Sequence, residues 1–480
     1  MSIIKKISEL PSHPDPVIME PDLTRVHEIF EKLADRHGKM FTVQFADQLM
    51  MVVADAKILN FIVCKRPELF GPYRRNSRIL EAIKTDGIET ADGHDWKRQR
   101  EIIAASMESI YLAQYFETIK AAVEALRNRW ITYGENLAET NLEAEIFGFS
   151  ISVFTSIMFG DMADMPADER EAAESLMFNL VSVLGKRIDA LLPQMHLENI
   201  SEDKDFEEAI KKLLTVIENR IAHSRNILAG NNKTGKIRSQ LQVLMETIEK
   251  EGLANHDVKL TENILQLLLA AEPTTADTLL RVLHCIAENP QAQKDIQDEV
   301  YALLGDCSHI EDFKDIKKLK CIDAVILETM RIASSSRLVL VEAKTDLLLE
   351  DIEVPSGTPL VLLIAYCGLD AENFHQAAVF DHRRWQRESK AESEPHNSKA
   401  ALGFGAGPRS CPGRGLAMLV MKTVLAMICA NFQIRRVPET PLSNETMSKH
   451  QPFSLGFTLK FRDRHHDFIA IESREIDNVY

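Results

Sequence analysis

The sequence predicts a mainly helical protein with a small β region. From Leu112 to Val300, apolar residues recur almost continuously at helical spacing. Short runs typical of strands occur at Met40–Phe45, Leu49–Val53 and Val339–Val341. No repeat, low-complexity segment or clear linker divides the 480 residues. We therefore expect one domain over residues 1–480.

Apolar periodicity places the individual helices. The predicted ranges are Leu23–His37, Ala56–Val63, Asn141–Met158, Thr261–Glu288 and Leu319–Arg331.

Composition and charge narrow the class of protein. The net charge of −16 argues against a nucleic-acid partner. The seven cysteines are scattered and form no C-x-x-C pair, which favours a reducing compartment over a disulfide framework or a zinc site. The segment Met1–Pro11 is too short and too charged for a signal peptide or a membrane span of about 20 apolar residues. We expect a cytoplasmic, monomeric protein without a membrane anchor.

A loop rich in glycine and proline, Phe404–Arg414, surrounds Cys411, and an apolar helix is predicted from Leu416 onward. Glycines let the backbone approach the sulfur, and free N–H groups at a helix start favour negative charge. Arg409 is a fixed cation able to hold a carboxylate of a bound cofactor. The loop is suited to a metal-bound thiolate.

Other interpretations of the loop fail on details. A dinucleotide loop needs a third glycine where this chain has Pro408. A cysteine nucleophile needs a histidine base, and neither His396 nor His450 lies in a motif.

The loop resembles the haem-binding loop of the cytochrome P-450 family, F-x-x-G-x-R-x-C-x-G. The matching residues are Phe404, Gly407, Arg409, Cys411 and Gly413. The resemblance implies a helix-rich prism that binds haem b (iron protoporphyrin IX), with Cys411 as the proximal iron ligand. It also assigns Phe404, Arg409 and Gly413 to cofactor binding.

A second segment carries Trp96 and Arg100 at i, i+4 after a turn at Gly93, with Asp95 as the predicted N-cap. A solvated basic helix is the alternative. The family has W-x-x-x-R here and uses both residues to hold a haem propionate, so the resemblance implies that role for Trp96 and Arg100. Lys97 then becomes, with its neighbour Arg98, a candidate for a basic patch facing an electron donor.

The third segment lies inside the predicted long helix, where Pro273 removes one hydrogen bond. It resembles the family's A-G-x-(D/E)-T-(T/S), which implies that Thr274, with Thr275, delivers protons during oxygen activation. Pro273 occupies the acid position, and Glu272 comes one residue earlier. Either Glu272 or Asp277 substitutes through water, or activation follows another route. An ordinary core helix with hydroxyls bonded back to carbonyls is the structural alternative.

Glu328 and Arg331 at i, i+3, with Arg384, match the family's bracing cluster, which implies a structural role. His382 replaces the usual proline of that segment.

Arg337 precedes positions 341 and 342, near which many members carry a propionate-binding arginine and this chain has Val341 and Glu342. Arg337 either takes over that contact or anchors an anionic substrate.

The resemblance also supplies candidates for the pocket wall. They are Met177, Leu180, Val181, Leu184, Phe453 and Leu455.

These predictions describe a monooxygenase that uses O2 to hydroxylate or epoxidise a hydrophobic small molecule in lipid, terpenoid or polyketide-type biosynthesis. Electrons would come from NAD(P)H through an external reductase and a ferredoxin or flavodoxin. A peroxygenase or isomerase that needs no reductase is one alternative. A haem-binding sensor or carrier without turnover is another.

Overall fold

The structure is a computed structural model of the 480-residue chain. It describes residues 5–12, 26–45, 48–74, 87–134, 137, 140–160, 204–229, 238–254, 259–305, 307–387, 395–437 and 457–462.

Helices dominate the described residues, as the sequence predicts. They are α1 (Val26–His37), α2 (Ala56–Cys64), α3 (Gly93–Ala105), α4 (Ser109–Tyr133), α5 (Leu142–Phe159), α6 (Lys204–Ala229), α7 (Gln240–Lys250), α8 (Leu260–Glu288), α9 (Pro290–Leu304), α10 (Lys320–Ile332), α11 (Ile364–Leu369) and α12 (Arg414–Asn431).

The strands form three small sheets. They are β1 (Lys5–Lys6), β2 (Met40–Phe45), β3 (Gln48–Val53), β4 (Phe70–Pro72), β5 (Val339–Ala343), β6 (Leu347–Leu349), β7 (Ile352–Val354), β8 (Pro359–Leu362), β9 (Phe432–Arg436) and β10 (Phe457–Phe461). The largest sheet has the order β2-β3-β8-β5-β4, with β3 and β8 parallel and its other pairs antiparallel. The other two sheets are β1-β7-β6 and β10-β9. The mainly helical fold with a small β region is confirmed.

The core forms around α8, which is buried along most of its length and packs against α5. Two helices, α5 and α12, are long and apolar enough to cross a membrane by length and composition. Most of each is buried within the protein, 61% of α5 and 78% of α12. Both contribute to the same hydrophobic cluster as α8, so they serve this fold as core helices.

The predicted helices agree with the observed ones to within a few residues, and the start of the first, Leu23–Arg25, lies outside the described residues. The predicted N-cap Asp95 is wrong. Asp92, with extended backbone, is the N-cap of α3, and Asp95 lies in the first helical turn. There the Asp95 carboxylate accepts a hydrogen bond from Arg98 at 3.2 Å. The helix thus begins earlier than predicted, at Gly93, whose φ of +57° is one that glycine adopts readily.

Candidate active site

The cysteine loop closes through one backbone bond, in which Cys411 N–H donates to Phe404 O at 2.8 Å. Gly407 has a φ of +69°, and a Cβ there would lie 2.7 Å from both Cys64 Cα and Val63 O. Only glycine fits at this position, because the loop backbone is packed against the C-terminal end of α2. A Cβ at Gly413 would lie 3.9 Å from Cys411 Sγ, so this glycine keeps the backbone close to the sulfur.

The surroundings of the Cys411 sulfur have opposing effects on its charge. Burial raises the pKa of the Cys411 thiol, while the Gly413 N–H and the charge of Arg100 favour the thiolate. A bound metal cation deprotonates a coordinating thiol outright. Among the described residues, no cluster of three His, Cys, Asp or Glu side chains is positioned to hold a metal ion. The Cys411 thiolate is suited to bind a metal cation.

Arg409 stacks on Trp96, a predicted cofactor-binding residue of α3. Its guanidinium carbon lies 4.7 Å from the centre of the Trp96 ring, and its Nη2 donates to Ala91 O. The Asp92 carboxylate lies 3.5 Å from the same Nη2. The Arg409 Nε is buried without a hydrogen-bond partner. A buried guanidinium with an unused donor is suited to bind a further carboxylate.

Arg100 and Arg66 add positive charge around Arg409. Burial, with the charges of Arg66 and Arg100, lowers the pKa of Arg409 to about 10. Burial likewise lowers the pKa of Arg100 and of Arg66. The structure thus brings Trp96, Arg100, Arg409 and Cys411 together, as the sequence predicts.

Sequence reasoning missed Arg66, Asp92 and Lys344 at this site. Lys344 Nζ lies 2.6 Å from Asp92 Oδ2 and donates to Pro67 O at 3.0 Å. These contacts join segments far apart in the chain, so no spacing in the sequence predicts them. For Asp92 the sequence offers one indication, its position directly before the Trp96 segment.

On α8, a short stretch of the otherwise buried helix is only partly buried. Between Asn263 and Ala287, the positions not fully buried are Leu269, Ala270, Ala271 and Thr274. Ala271 packs against the same hydrophobic cluster as Phe404 of the cysteine loop. This stretch of α8 and the cysteine loop therefore pack against one shared hydrophobic core.

The Thr274 hydroxyl donates to Ala270 O at 2.6 Å, and the Thr278 hydroxyl donates to Thr274 O at 2.7 Å. This is the back-bonding considered as the structural alternative. The Thr274 oxygen can still accept a hydrogen bond from a ligand or water. The helix itself continues through Pro273.

Glu272 lies on the other side of α8, since two residues correspond to about 200° of rotation from Thr274. Its side chain is 1% exposed, and its Oε1 accepts a hydrogen bond from the Thr155 hydroxyl of α5 at 3.3 Å. The Glu272 Oε2 is buried without a partner, and burial raises the pKa of this carboxyl well above its ordinary value. Thr275 is also buried, at 3% exposure. The catalytic roles of Glu272 and Thr275 stay predictions.

The bracing cluster is confirmed. Glu328 accepts hydrogen bonds from Arg331 at 2.9 and 2.8 Å, from Arg384 at 2.9 Å and from the Trp385 indole at 2.9 Å. Burial raises the pKa of Glu328, but the bonds and charge of Arg331 outweigh it and hold that pKa below its ordinary value. His382 lies in the position of the family's proline. Its Nε2 pairs with Asp295 of α9 at 3.0 Å.

Arg337 lies in a different environment from the cysteine loop's cations. Its Nη2 donates to Glu31 Oε1 of α1 at 3.0 Å, and its Nε is buried without a partner. Glu342, near which many family members carry a propionate-binding arginine, pairs with Arg74 at 2.9 Å. Cofactor binding by Arg337 stays a prediction. The six predicted pocket-wall residues lie outside the described residues.

Comparison with known proteins agrees with this geometry. A family model for cytochrome P450 matches residues 19–458. Cytochrome P450 3A41 of Mus musculus is 22% identical over 419 residues, which cover 85% of this chain and 81% of that protein. Cytochrome P450 27C1 of Aquarana catesbeiana is 24% identical over 445 residues, covering 87% of this chain and 79% of that protein. The chain belongs to the cytochrome P450 family, and it is a haem-dependent monooxygenase.

The residues present fit a haem. The Cys411 sulfur would provide the iron ligand, and the Nε donor of Arg409, which has no hydrogen-bond partner among the described residues, is suited to a haem carboxylate. Bound haem with a thiolate ligand supplies the activation of O2. The chain's own residues would hold the sulfur beside the Gly413 backbone, place the charges of Arg409 and Arg100 near the cofactor carboxylates, with Trp96 stacked on Arg409, and present Thr274 on the partly buried stretch of α8.

Proposed function

We propose that this monooxygenase hydroxylates or epoxidises a hydrophobic small molecule of lipid, terpenoid or polyketide type, as a tailoring step in biosynthesis. One observation supports this most. Three of the four partly buried positions between Asn263 and Ala287 of α8, Leu269, Ala270 and Ala271, are apolar, and Ala271 packs against the same hydrophobic cluster as Phe404 of the cysteine loop. An apolar wall favours an apolar substrate through burial of its surface.

The test of the reaction class is spectroscopic. The reduced, carbon-monoxide-treated protein should show the long-wavelength Soret band of a thiolate ligand, and Cys411→Ala should lose it. A panel of lipids, terpenoids and polyketides should then contain compounds that shift the haem absorption spectrum and are oxidised with O2. Absence of the thiolate band would overturn the proposed reaction class. Binding of polar compounds alone would overturn the proposed substrate class.

Thr274 is the residue we assign to handling protons and water. Its hydroxyl is the polar side-chain group of the partly exposed stretch, whereas Thr275 is buried. Thr274→Ala should divert reducing equivalents to peroxide, while the matched change Thr275→Ala should not. Product formed per NAD(P)H consumed measures this, and unchanged coupling in Thr274→Ala contradicts the assignment.

Electrons would come from NAD(P)H through an external reductase and a ferredoxin or flavodoxin. Three exposed cations flank the segments that hold the haem loop. They are Lys65 after α2, Lys97 on α3 and Arg414 at the start of α12. A basic surface suits an acidic carrier, so turnover should fall steeply as salt rises. Turnover independent of ionic strength would argue against this docking. We further propose that the protein is cytoplasmic and monomeric.

A peroxygenase or isomerase is the second candidate, because Pro273 occupies the position of the family's acid and the Glu272 carboxyl contacts Thr155 instead of Thr274. Turnover with hydrogen peroxide and none with a ferredoxin system would favour it.

A further inference from the structure

Arg66 lies at a junction between α2 and the cysteine loop. It follows the C-terminal end of α2, where a Cβ on Gly407 would lie 2.7 Å from Cys64 Cα. This close approach fixes the backbone two residues before Arg66 against the loop that carries Arg409 and Cys411.

Lys344, after β5, fixes the other side of Arg66. Its Nζ donates to Pro67 O, the carbonyl next in the chain to Arg66, at 3.0 Å. The same Nζ lies 2.6 Å from Asp92 Oδ2, and Asp92 Oδ1 lies 3.5 Å from Arg409 Nη2. A continuous chain of contacts therefore connects the backbone beside Arg66 to the guanidinium of Arg409.

The cations of this junction outnumber its carboxylates in the described part of the chain. Arg66, Arg409 and Lys344 lie near Asp92, which already pairs with Lys344, and the charges of Arg100 and of a second carboxylate, Glu89, also act on Arg409. The Nε atoms of Arg66 and Arg409 are both buried without a hydrogen-bond partner among the residues that the structure describes. Buried guanidinium donors without a partner are costly, unless an anion that the protein binds satisfies them.

We propose that Arg66 is a cofactor-binding residue that donates its buried Nε–H to a carboxylate of the haem, beside Arg409. Arg337, for which the sequence left open a propionate contact or a substrate contact, donates its Nη2 to Glu31 at 3.0 Å. Lys344 is likewise engaged, by Asp92 and Pro67. Arg66 is the cation at the junction that combines an unused buried donor with contact of its own segment to the loop.

This inference rests on the haem that family membership implies, and its test uses the holoenzyme. We compare Arg66→Gln with Lys65→Gln, which removes an exposed charge one residue away. Transfer of haem to excess apomyoglobin should be about tenfold or more faster in Arg66→Gln, because a hydrogen bond to a charged group is lost. Lys65→Gln should transfer haem at the wild-type rate.

Resonance Raman spectroscopy separates a direct contact from a general loss of stability. The propionate-bending band of the haem should shift in Arg66→Gln and stay in place in Lys65→Gln. Arg66→Lys, which keeps the charge and changes the donor geometry, should restore part of the haem retention while still shifting the band.

An unshifted band in both Arg66 variants, or haem transfer at the wild-type rate in Arg66→Gln, would overturn the proposal. If Arg66→Gln does not fold, the band in Arg66→Lys decides. The thiolate-type Soret band of the wild-type protein tests the enzyme class separately, so a failure at Arg66 leaves that class standing.

Discussion

Two arginine clusters in this protein differ in how completely their charges are matched. Around Glu328, all five N–H donors of Arg331 are used, by the Glu328 carboxylate and by the carbonyls of Gly368, Ala377 and Val379. Around Arg409, the Nε donors of Arg409 and Arg66 have no hydrogen-bond partner in the described part of the chain.

The difference distinguishes structure from binding. A fully satisfied buried cluster holds elements together and has no capacity left for a ligand. A buried cluster with spare donors and excess positive charge is suited to bind an anion. The Glu328 cluster is therefore a bracing cluster, whereas the Arg409 cluster retains donors for a ligand carboxylate.

The largest effect is expected from breaking the matched cluster. Glu328→Gln leaves Arg331 and Arg384 buried without a compensating charge, and it should cost about 3–5 kcal/mol of unfolding free energy. Urea unfolding followed by circular dichroism measures the loss. Arg383→Gln is the control. Its side chain is 53% exposed and pairs with Asp295, so the unfolding midpoint should stay near wild type. Equal midpoints for the two variants would contradict the distinction.

A smaller effect is expected at the open cluster, in haem retention. The Arg100 side chain makes no hydrogen bond to the described residues, so Arg100→Gln removes no side-chain hydrogen bond that the structure describes. It should speed haem transfer to apomyoglobin about tenfold, because one charged partner of the cofactor is lost. Lys97→Gln on the exposed side of α3 should transfer haem at the wild-type rate. Identical rates for both variants would remove Arg100 from the cofactor site.

The smallest effect concerns Glu272, a buried carboxyl without a cation. Its pKa is raised by burial, so the folded state keeps a proton that the unfolded chain releases above its ordinary pKa of 4.5. Stability should therefore fall as the pH rises from that value toward the pKa in the folded state. Glu272→Gln, which mimics the neutral acid, should flatten this decline.

Urea midpoints recorded from pH 4.5 upward into the alkaline range measure the slope. Glu249→Gln, at an exposed position of α7, is the control and should follow the wild-type profile. A wild-type slope in Glu272→Gln would show that this carboxyl is already ionised in the folded protein.

Much of the site was predictable where local chemistry is distinctive. The loop around Cys411 combines glycine, proline and arginine in an order that few other functions require, and its partners Trp96 and Arg100 lie on one short helix. Glu328 and Arg331 are one helical turn apart, so their pairing follows from helical geometry. The N-cap of α3 was mispredicted, and that helix begins earlier, at Gly93, with a positive φ.

The sequence by itself determined the helical periodicity, the thiolate loop and the family's residue pairs, because each depends on contacts within a few residues or on a fixed motif. Only the tertiary structure decided that Glu272 meets Thr155 of α5, that Arg337 meets Glu31, and that Arg66 lies near Arg409. Those arrangements depend on packing between segments up to hundreds of residues apart. Packing is set by the shape and burial of whole elements, and no local spacing in the sequence records it.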